Sequence, residues 1–157
     1  LSHISPDYKK YTFLDRGSDE RQYCSPGVDL PIASITRSKY LEYSEYHTSL
    51  DNLDFVTQSG LEGSLNAYQK VIKCIENNFV IQSTVLCEPQ LGRRGLYPKF
   101  TTKNSIHDVK NIKNLIAYAD GSNSLLDISN LIGVPLWDLT PLLDDLIQKK
   151  LIKIVEK

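Results

Sequence analysis

The 157-residue sequence has no methionine, few cysteines and no long hydrophobic run. Because it lacks methionine, the chain as written does not begin at a natural start codon, and we expect a fragment of a longer protein. No apolar segment approaches the roughly 20 residues that span a bilayer, so we expect no membrane partner. The first residues show no basic stretch followed by an apolar core, which argues against a signal peptide and favours a cytoplasmic location.

The three cysteines, Cys24, Cys74 and Cys87, are odd in number and far apart in the sequence. No Cys-x-x-Cys pair is present, so the sequence does not indicate a structural zinc knuckle. Reduced thiols in a cytosolic protein are the simplest interpretation of this pattern.

The charge balance shows no excess of either sign. Eighteen lysine and arginine residues stand against 19 acidic ones, for a formal net charge of −1. Neither nucleic acid nor an anionic membrane nor an acidic partner is favoured by such a balance.

The first part of the chain, residues 1–78, is predicted to be α/β, part of a mixed sheet with a covering helix. Short β-prone runs at 11–14 and 30–35 are candidate strands. Apolar residues then recur every three or four positions over 61–77, which predicts an amphipathic helix that packs on another element. Its apolar face is formed by Leu61, Leu65, Tyr68, Val71, Ile72 and Ile75.

The second part is predicted to be a connector over 79–104, in which residues 79–81 could form a short strand, followed by an all-α winged-helix-like module over 105–157. A first helix is expected over about 106–119, and an alternating run at 151–155 predicts a terminal strand.

Local signals define the other two helices of this module. Ser124 and Asp127 have the spacing of a capping box at the start of the second helix. Gly133 is placed to end that helix, and Pro135 to begin the third. Three helices and a terminal strand are typical of a winged helix.

The third predicted helix does not have the charge of a DNA-recognition helix. It carries Asp138, Asp144 and Asp145, and residues 105–157 contain six lysines against seven acidic residues. Phosphate contacts supply most of the non-specific affinity for DNA, so we expect no nucleic-acid partner. An internal support or a subunit interface is the favoured role for this module.

A polar cluster follows the first candidate strand. It contains Asp19, Glu20, Arg21 and Tyr23 directly after Gly17 and Ser18. Loops at the ends of strands often hold ligand sites in α/β proteins. A solvated loop with local ion pairs is the alternative interpretation.

A second cluster surrounds His47, with Glu45, Thr48 and Asp51 as acceptors that could orient its ring. A metal-bound imidazole needs such a partner for its second nitrogen. One histidine does not make a zinc site, since zinc takes at least three protein ligands. An ordinary loop histidine is therefore the alternative.

The segments 17–27 and 46–52 together resemble aminopeptidase-like proteins encoded near bacterial surface-polysaccharide genes. Residues 87–98 resemble the connector of that family, and 105–157 resemble its terminal winged-helix module. More distantly, the pattern from His47 to Asp51 is similar to the last zinc-ligand motif of co-catalytic zinc aminopeptidases. Ser18-Asp19 resembles their Ser-Asp-His motif, with Glu20 in the position of the histidine.

This resemblance implies a zinc-dependent hydrolase with one or two zinc ions in the complete protein. His47 would be a metal ligand and Asp51 its partner. Asp19, Glu20, Arg21 and Tyr23 would be the catalytic and pocket residues. The substrate would be a small peptide, or an amide or other group of a sugar-derived compound.

The other ligands of such a site, a first histidine, a bridging aspartate and a Glu-Glu pair, are absent from this sequence. The chain alone is therefore not expected to hold zinc. Either an N-terminal half is missing, or a second chain of a homo-oligomer supplies it. Whether the chain belongs to an enzyme stays open, and a non-catalytic assembly protein or, less favoured, a DNA-binding regulator is the alternative.

Overall fold

The structure is a computed structural model that describes residues 1–97 and 103–156. It divides into two compact units, residues 1–69 and residues 70–157. The division falls within one long helix, α2, which spans Gln58–Glu76. The two units are described separately below.

The first unit contains no β-strand. Its regular elements are a 3₁₀ helix at Phe13–Asp15, the one-turn helix α1 at Glu20–Tyr23, and the first part of α2. The strand predicted at 11–14 is wrong because the Thr12 side chain accepts a hydrogen bond from the Leu14 amide and caps the 3₁₀ turn.

The strand predicted at 30–35 is also wrong. The Leu30 amide donates to the Tyr23 carbonyl at 2.7 Å, and the Ile32 amide donates to the Leu30 carbonyl at 2.8 Å. These local bonds use backbone donors that a ladder would need, so the segment is irregular. The sheet expected within residues 1–78 is thus not found there.

The second unit contains a three-stranded antiparallel sheet in the order β2-β1-β3. Its elements are β1 (Val80–Ser83), a 3₁₀ turn (Gly92–Arg94), α3 (Lys103–Tyr118), β2 (Asp120–Ser124), α4 (Leu125–Ile132), α5 (Leu136–Gln148) and β3 (Ile152–Glu156). The three helices and the terminal strand of the sequence analysis are confirmed. The module is not all-α, however, since β2 and β1 complete a sheet with β3.

The central strand, β1, comes from the range 79–104 that was predicted as a connector. Val80 pairs with both Ser124 and Glu156, so this strand joins the two edges of the sheet. The edge strand β2 escaped prediction because its sequence, Asp-Gly-Ser-Asn-Ser, has no β-propensity.

The helix ends in this unit follow the predicted signals. The Ser124 side chain accepts from the Asp127 amide, and the Asp127 carboxylate accepts from the Ser124 amide, which completes a capping box. Gly133 has φ +69° at the C-terminus of α4, a left-handed conformation that favours glycine. Leu136 then begins α5 directly after Pro135.

The sheet and helices of the second unit enclose a hydrophobic core. Its buried members are Ile81, Leu91, Leu96, Ile112, Leu115, Ile116, Ala119, Leu125, Ile128, Leu136, Leu139, Leu143, Leu146, Leu151 and Ile152. Trp137 lies at the margin, where the Lys70 ammonium sits 5.0 Å from the centre of its ring. All three helices contribute to this core, as their periodicity predicts.

The first unit has no such core. None of residues 1–69, all of which the structure describes, is buried. Leu14, Leu41 and Leu53 are among the most exposed hydrophobic side chains of the chain.

Helix α2 is confirmed close to its predicted bounds and has the predicted amphipathic pattern. Its large apolar side chains are exposed, however, although the pattern predicted that they pack on another element. No helix among the described residues is long and apolar enough to cross a membrane.

Candidate functional site

The polar segment after Gly17 is organised by the carboxylate of Glu20. One carboxylate oxygen accepts from the Gly17 amide at 2.8 Å and from the Ser18 amide at 3.1 Å. The other oxygen accepts from the Ser34 hydroxyl at 3.2 Å. The two backbone hydrogen bonds, with that of Gly17 first, lower the pKa of Glu20 to about 2. Glu20 is therefore ionised at neutral pH and holds the loop together.

Tyr40 covers this loop. Its hydroxyl donates to the Asp15 carbonyl at 2.8 Å and lies 3.4 Å from the Glu20 carboxylate. A Cβ atom at position 17 would lie 2.4 Å from the Tyr40 ring, so the close approach of this ring requires glycine. Burial and the charge of Glu20 raise the pKa of Tyr40.

Asp19, Arg21 and Tyr23 are presented to solvent on and beside α1. Asp19 lies just before the helix, and its side chain makes no capping hydrogen bond. The Arg21 carbonyl accepts a hydrogen bond from the Ser25 hydroxyl, which ties the backbone at this turn. The guanidinium of Arg21 and the phenol of Tyr23 remain accessible to a ligand.

His47 is exposed, and its backbone has φ +58°, in the left-handed region that is uncommon for residues other than glycine. Its ring stacks on Tyr46, with centroids 4.0 Å apart and planes 18° from parallel. No hydrogen bond joins the imidazole to Asp51 or Glu45 within the described residues. The carboxylates predicted to orient it therefore do not do so in this structure.

A group of tyrosine rings in contact with one another connects the two polar clusters. The Tyr46 ring lies 6.3 Å from that of Tyr40 and 5.7 Å from that of Tyr43, which in turn stacks on Phe55 at 5.3 Å. A continuous series of contacts thus runs from Glu20 through Tyr40 and Tyr46 to His47. Tyr40, Tyr43 and Tyr46 were not predicted as part of the site, although the chain has nine tyrosines and these three recur at every third position.

Glu42 forms a second polar contact in the same unit. Both of its carboxylate oxygens accept from the Tyr11 hydroxyl at 2.8 Å, and one also meets the Lys9 ammonium at 3.3 Å. The Tyr11 hydrogen bond lowers the pKa of Glu42, and the same bond raises that of Tyr11. These exposed contacts position the N-terminal segment against the tyrosine group.

The described residues do not form a metal site by themselves. No group of three or more histidine, cysteine, aspartate or glutamate side chains among them is arranged to hold a metal ion. Zinc requires at least three protein ligands, so the donors present in this chain do not fit a resident zinc ion.

Two surface pockets of the described residues are both formed by the second unit. One is bounded by Cys87 and by the ion pair of Glu88 and Lys113, whose charged atoms are 3.0 Å apart. The other lies between Asn123 and Leu131. Neither contains a residue of the predicted site.

Two family models match successive parts of the chain. A domain of unknown function, DUF4910, matches residues 1–78, and a winged helix-turn-helix family matches residues 79–154. The second match agrees with the architecture of the second unit and includes β1. Residues 79–154 form a winged helix domain.

A protein of Clostridium acetobutylicum is 38% identical over 157 residues, which are 99% of this chain. It is provisionally named a polysaccharide biosynthesis protein with an aminopeptidase-like domain. The chain is a homologue of that protein. A crystal structure from the same organism, provisionally described as a peptidase, has a TM-score of 0.79 at 36% identity over 97% of this chain.

The resemblance to aminopeptidase-like proteins of polysaccharide biosynthesis is confirmed by these relatives, whereas the more distant similarity to zinc aminopeptidases stays a prediction. The chain spans only about a third of their length, however: 36% of the named protein and 34% of the crystallised chain. Nearly two thirds of each relative therefore has no counterpart in the residues described above.

Proposed function

We propose that this chain is part of a zinc-dependent aminopeptidase-like hydrolase, in which residues 1–69 supply one wall of the substrate pocket. The observation that carries the proposal is the identity of 38% across almost the whole chain to a protein with an aminopeptidase-like domain. The connected series from Glu20 to His47 supports it, because it joins the two clusters that carry the resemblance.

The accessible side chains suit the binding of a small polar substrate. Arg21 would hold a carboxylate or phosphate in a bidentate contact, and Tyr23 would donate to a developing oxyanion. Asp19 would meet the free amine of a peptide, or an amine of a sugar-derived substrate. Glu20 would act as the residue that positions these groups, since its oxygens already accept hydrogen bonds from the loop.

Most of the zinc ligands in this proposal would come from residues outside this chain. His47 would give one imidazole ligand, and the remaining ligands would come from the two thirds of the protein that the relatives possess in addition. Exposure of His47 leaves its ring available for such a role. Asp51 would have to turn toward the ring, as a partner for its second nitrogen, when the site is complete.

The test uses a chimera in which this chain replaces the matching segment of the Clostridium acetobutylicum protein. Zinc content is measured by plasma mass spectrometry, and hydrolysis is followed with aminoacyl-p-nitroanilide substrates. We expect about two zinc ions per chimera, as in a co-catalytic site, and loss of metal and of activity in the His47→Ala variant. His107→Ala is the matched control, because His107 is an exposed histidine on α3 of the second unit.

Two results would count against the proposal. If the chimera binds no zinc when zinc is supplied, the hydrolase scaffold serves a non-catalytic role. If zinc remains after His47→Ala and hydrolysis is unchanged, His47 is an ordinary loop residue and the ligands lie elsewhere.

The winged helix domain supports a second candidate, a role in assembly rather than DNA binding. On α5, Asp138 and Asp144 are exposed, and such charges repel phosphates. An assembly role predicts that the charge-reversed variant Asp138→Lys/Asp144→Lys changes the oligomeric state in light scattering. Binding of duplex DNA by the unaltered chain at physiological salt would contradict it.

A further inference from the structure

Helix α2 carries a stripe of large apolar side chains on its outer face. The stripe consists of Leu61, Leu65, Tyr68, Ile72 and Ile75, separated by four, three, four and three residues. This spacing places all five on one side of the helix. Their exposed fractions lie between 43% and 69%, and the only polar contact of the stripe is that of the Tyr68 hydroxyl with the Ile35 carbonyl.

Within the first unit, Arg37 contacts α2 at two glycines that lie away from the stripe. A Cβ atom at Gly63 would lie 2.7 Å from the Arg37 guanidinium, which donates to the Gly60 carbonyl at 3.2 Å. The large apolar side chains of α2 therefore face solvent, the reverse of an ordinary surface helix.

We propose that the α2 stripe is the docking surface for the aminopeptidase-like part of the same protein. The relatives are nearly three times as long as this chain, so most of their chain is available to cover it. Contiguous apolar stripes of this kind usually mark a contact surface. The inference rests on the proposed function only in that both place this chain within a longer aminopeptidase-like protein.

A second copy of this chain is a less suitable occupant. In an antiparallel pair of α2 helices, Glu62 of one copy would lie opposite Glu76 of the other, and like charges repel. In a parallel pair, the flanking positions hold Ser64, Gln69, Val71 and Glu76, which form no pair of opposite charges. A segment of different sequence that packs on the stripe would not bring these like charges together and could supply opposite charges.

The experiment compares Leu65→Lys and Ile72→Lys in this chain alone and in the chimera. In the chain alone both side chains are exposed, so each change should move the Tm by less than about 2 °C. In the chimera each would place a charge in a covered apolar contact, and we expect the Tm to fall by at least about 5 °C. Asn66→Lys, at an exposed position on another face of α2, is the control and should have little effect in either protein.

Equal small shifts in both proteins would overturn the proposal. A dimer of the chain alone in light scattering that dissociates on Leu65→Lys would also overturn it, in favour of a second copy. If the lysine variants of the chimera do not fold, Leu65→Asn and amide hydrogen exchange of α2 replace them, and slower exchange in the unaltered chimera than in the chain is the supporting result. None of these experiments measures zinc content or hydrolytic activity. A chimera that binds no zinc can therefore still confirm the docking surface.

Discussion

The two units of this chain are built by different means. Residues 70–157 enclose a core of fifteen hydrophobic side chains between a sheet and three helices. In residues 1–69 no side chain is buried, and the contacts are tyrosine rings that touch one another, capped turns and carboxylates that accept hydrogen bonds. Burial of apolar area is the main source of folding free energy, so only the second unit has the composition of an independently stable domain.

The contrast in burial between the two units agrees with the finding that this chain spans only about a third of the length of its relatives. A winged helix domain is self-contained, whereas a segment of an enzyme domain must find its core in the rest of that domain. The exposed leucines of the first unit and the α2 stripe are the surfaces expected of such a segment. The contrast therefore supports the proposal that residues 1–69 belong to a larger domain.

The largest expected effect is the loss of a core side chain in the second unit. Leu139 is fully buried on α5, and Leu139→Ala should lower the free energy of unfolding by about 2–5 kcal/mol because it leaves a cavity. Urea unfolding followed by the fluorescence of Trp137, the single tryptophan, measures this change.

Two leucines outside the core provide the controls for this prediction. Leu131→Ala, on the exposed side of α4, should change the unfolding free energy by less than about 0.5 kcal/mol. In the first unit Leu53 is 88% exposed, and Leu53→Ala should leave the far-UV circular dichroism melting curve unchanged. A cost at Leu53 comparable to that at Leu139 would remove the distinction between the units.

The fold of the second unit was predictable because its signals are local. The capping box at Ser124, the left-handed Gly133 and the helical period of α3 and α5 each depend on residues close in sequence. Strand β2 was not predictable, since Asp120–Ser124 is extended only through its pairing with β1. In the first unit the strand predictions at 11–14 and 30–35 were wrong, because these β-prone residues form local turns and no sheet is present there for them to join.

The candidate site was predictable as two clusters but not as one arrangement. The polar residue types around Glu20 and His47 were sufficient to predict both clusters as candidate site residues from the sequence. Contacts of the Tyr40 and Tyr46 rings link the two clusters. Ring contacts between residues that are not adjacent in sequence do not correspond to a short sequence motif. Nothing in the sequence indicated that the Glu20 carboxylate binds the Gly17 and Ser18 amides.

A smaller effect is expected at the start of α4. Ser124→Ala removes the acceptor for the Asp127 amide and one donor to its carboxylate, so unfolding should become easier by about 1 kcal/mol. The same urea titration measures it. Asn130→Ala, exposed on the same helix, is the control and should be neutral or slightly stabilising, since alanine has the higher helix propensity. An equal loss in both variants would mean that the cap is not responsible.

The smallest effect is local and concerns Glu20 in the first unit. Its pKa in the folded chain is about 2, below its ordinary value of 4.5, because the ionised form accepts the Gly17 and Ser18 amides. A lowered pKa means that the folded loop is favoured above the ordinary value and loses this contribution as the pH falls through about 2. The amide resonances of Gly17 and Ser18 should therefore shift with a midpoint near pH 2 as Glu20 takes up a proton.

In Glu20→Gln this pH-dependent shift should disappear, and both amides should exchange with solvent faster at neutral pH, because a neutral amide oxygen is a weaker acceptor than a carboxylate. Glu45→Gln, in the neighbouring loop of the same unit, should leave the two resonances and their titration unchanged. If the Gly17 and Ser18 amides titrate near pH 4.5 in the unaltered chain, the carboxylate does not hold the loop. The first unit would then lack this polar contact as well as a core, and it would depend still more on the rest of the protein for its structure.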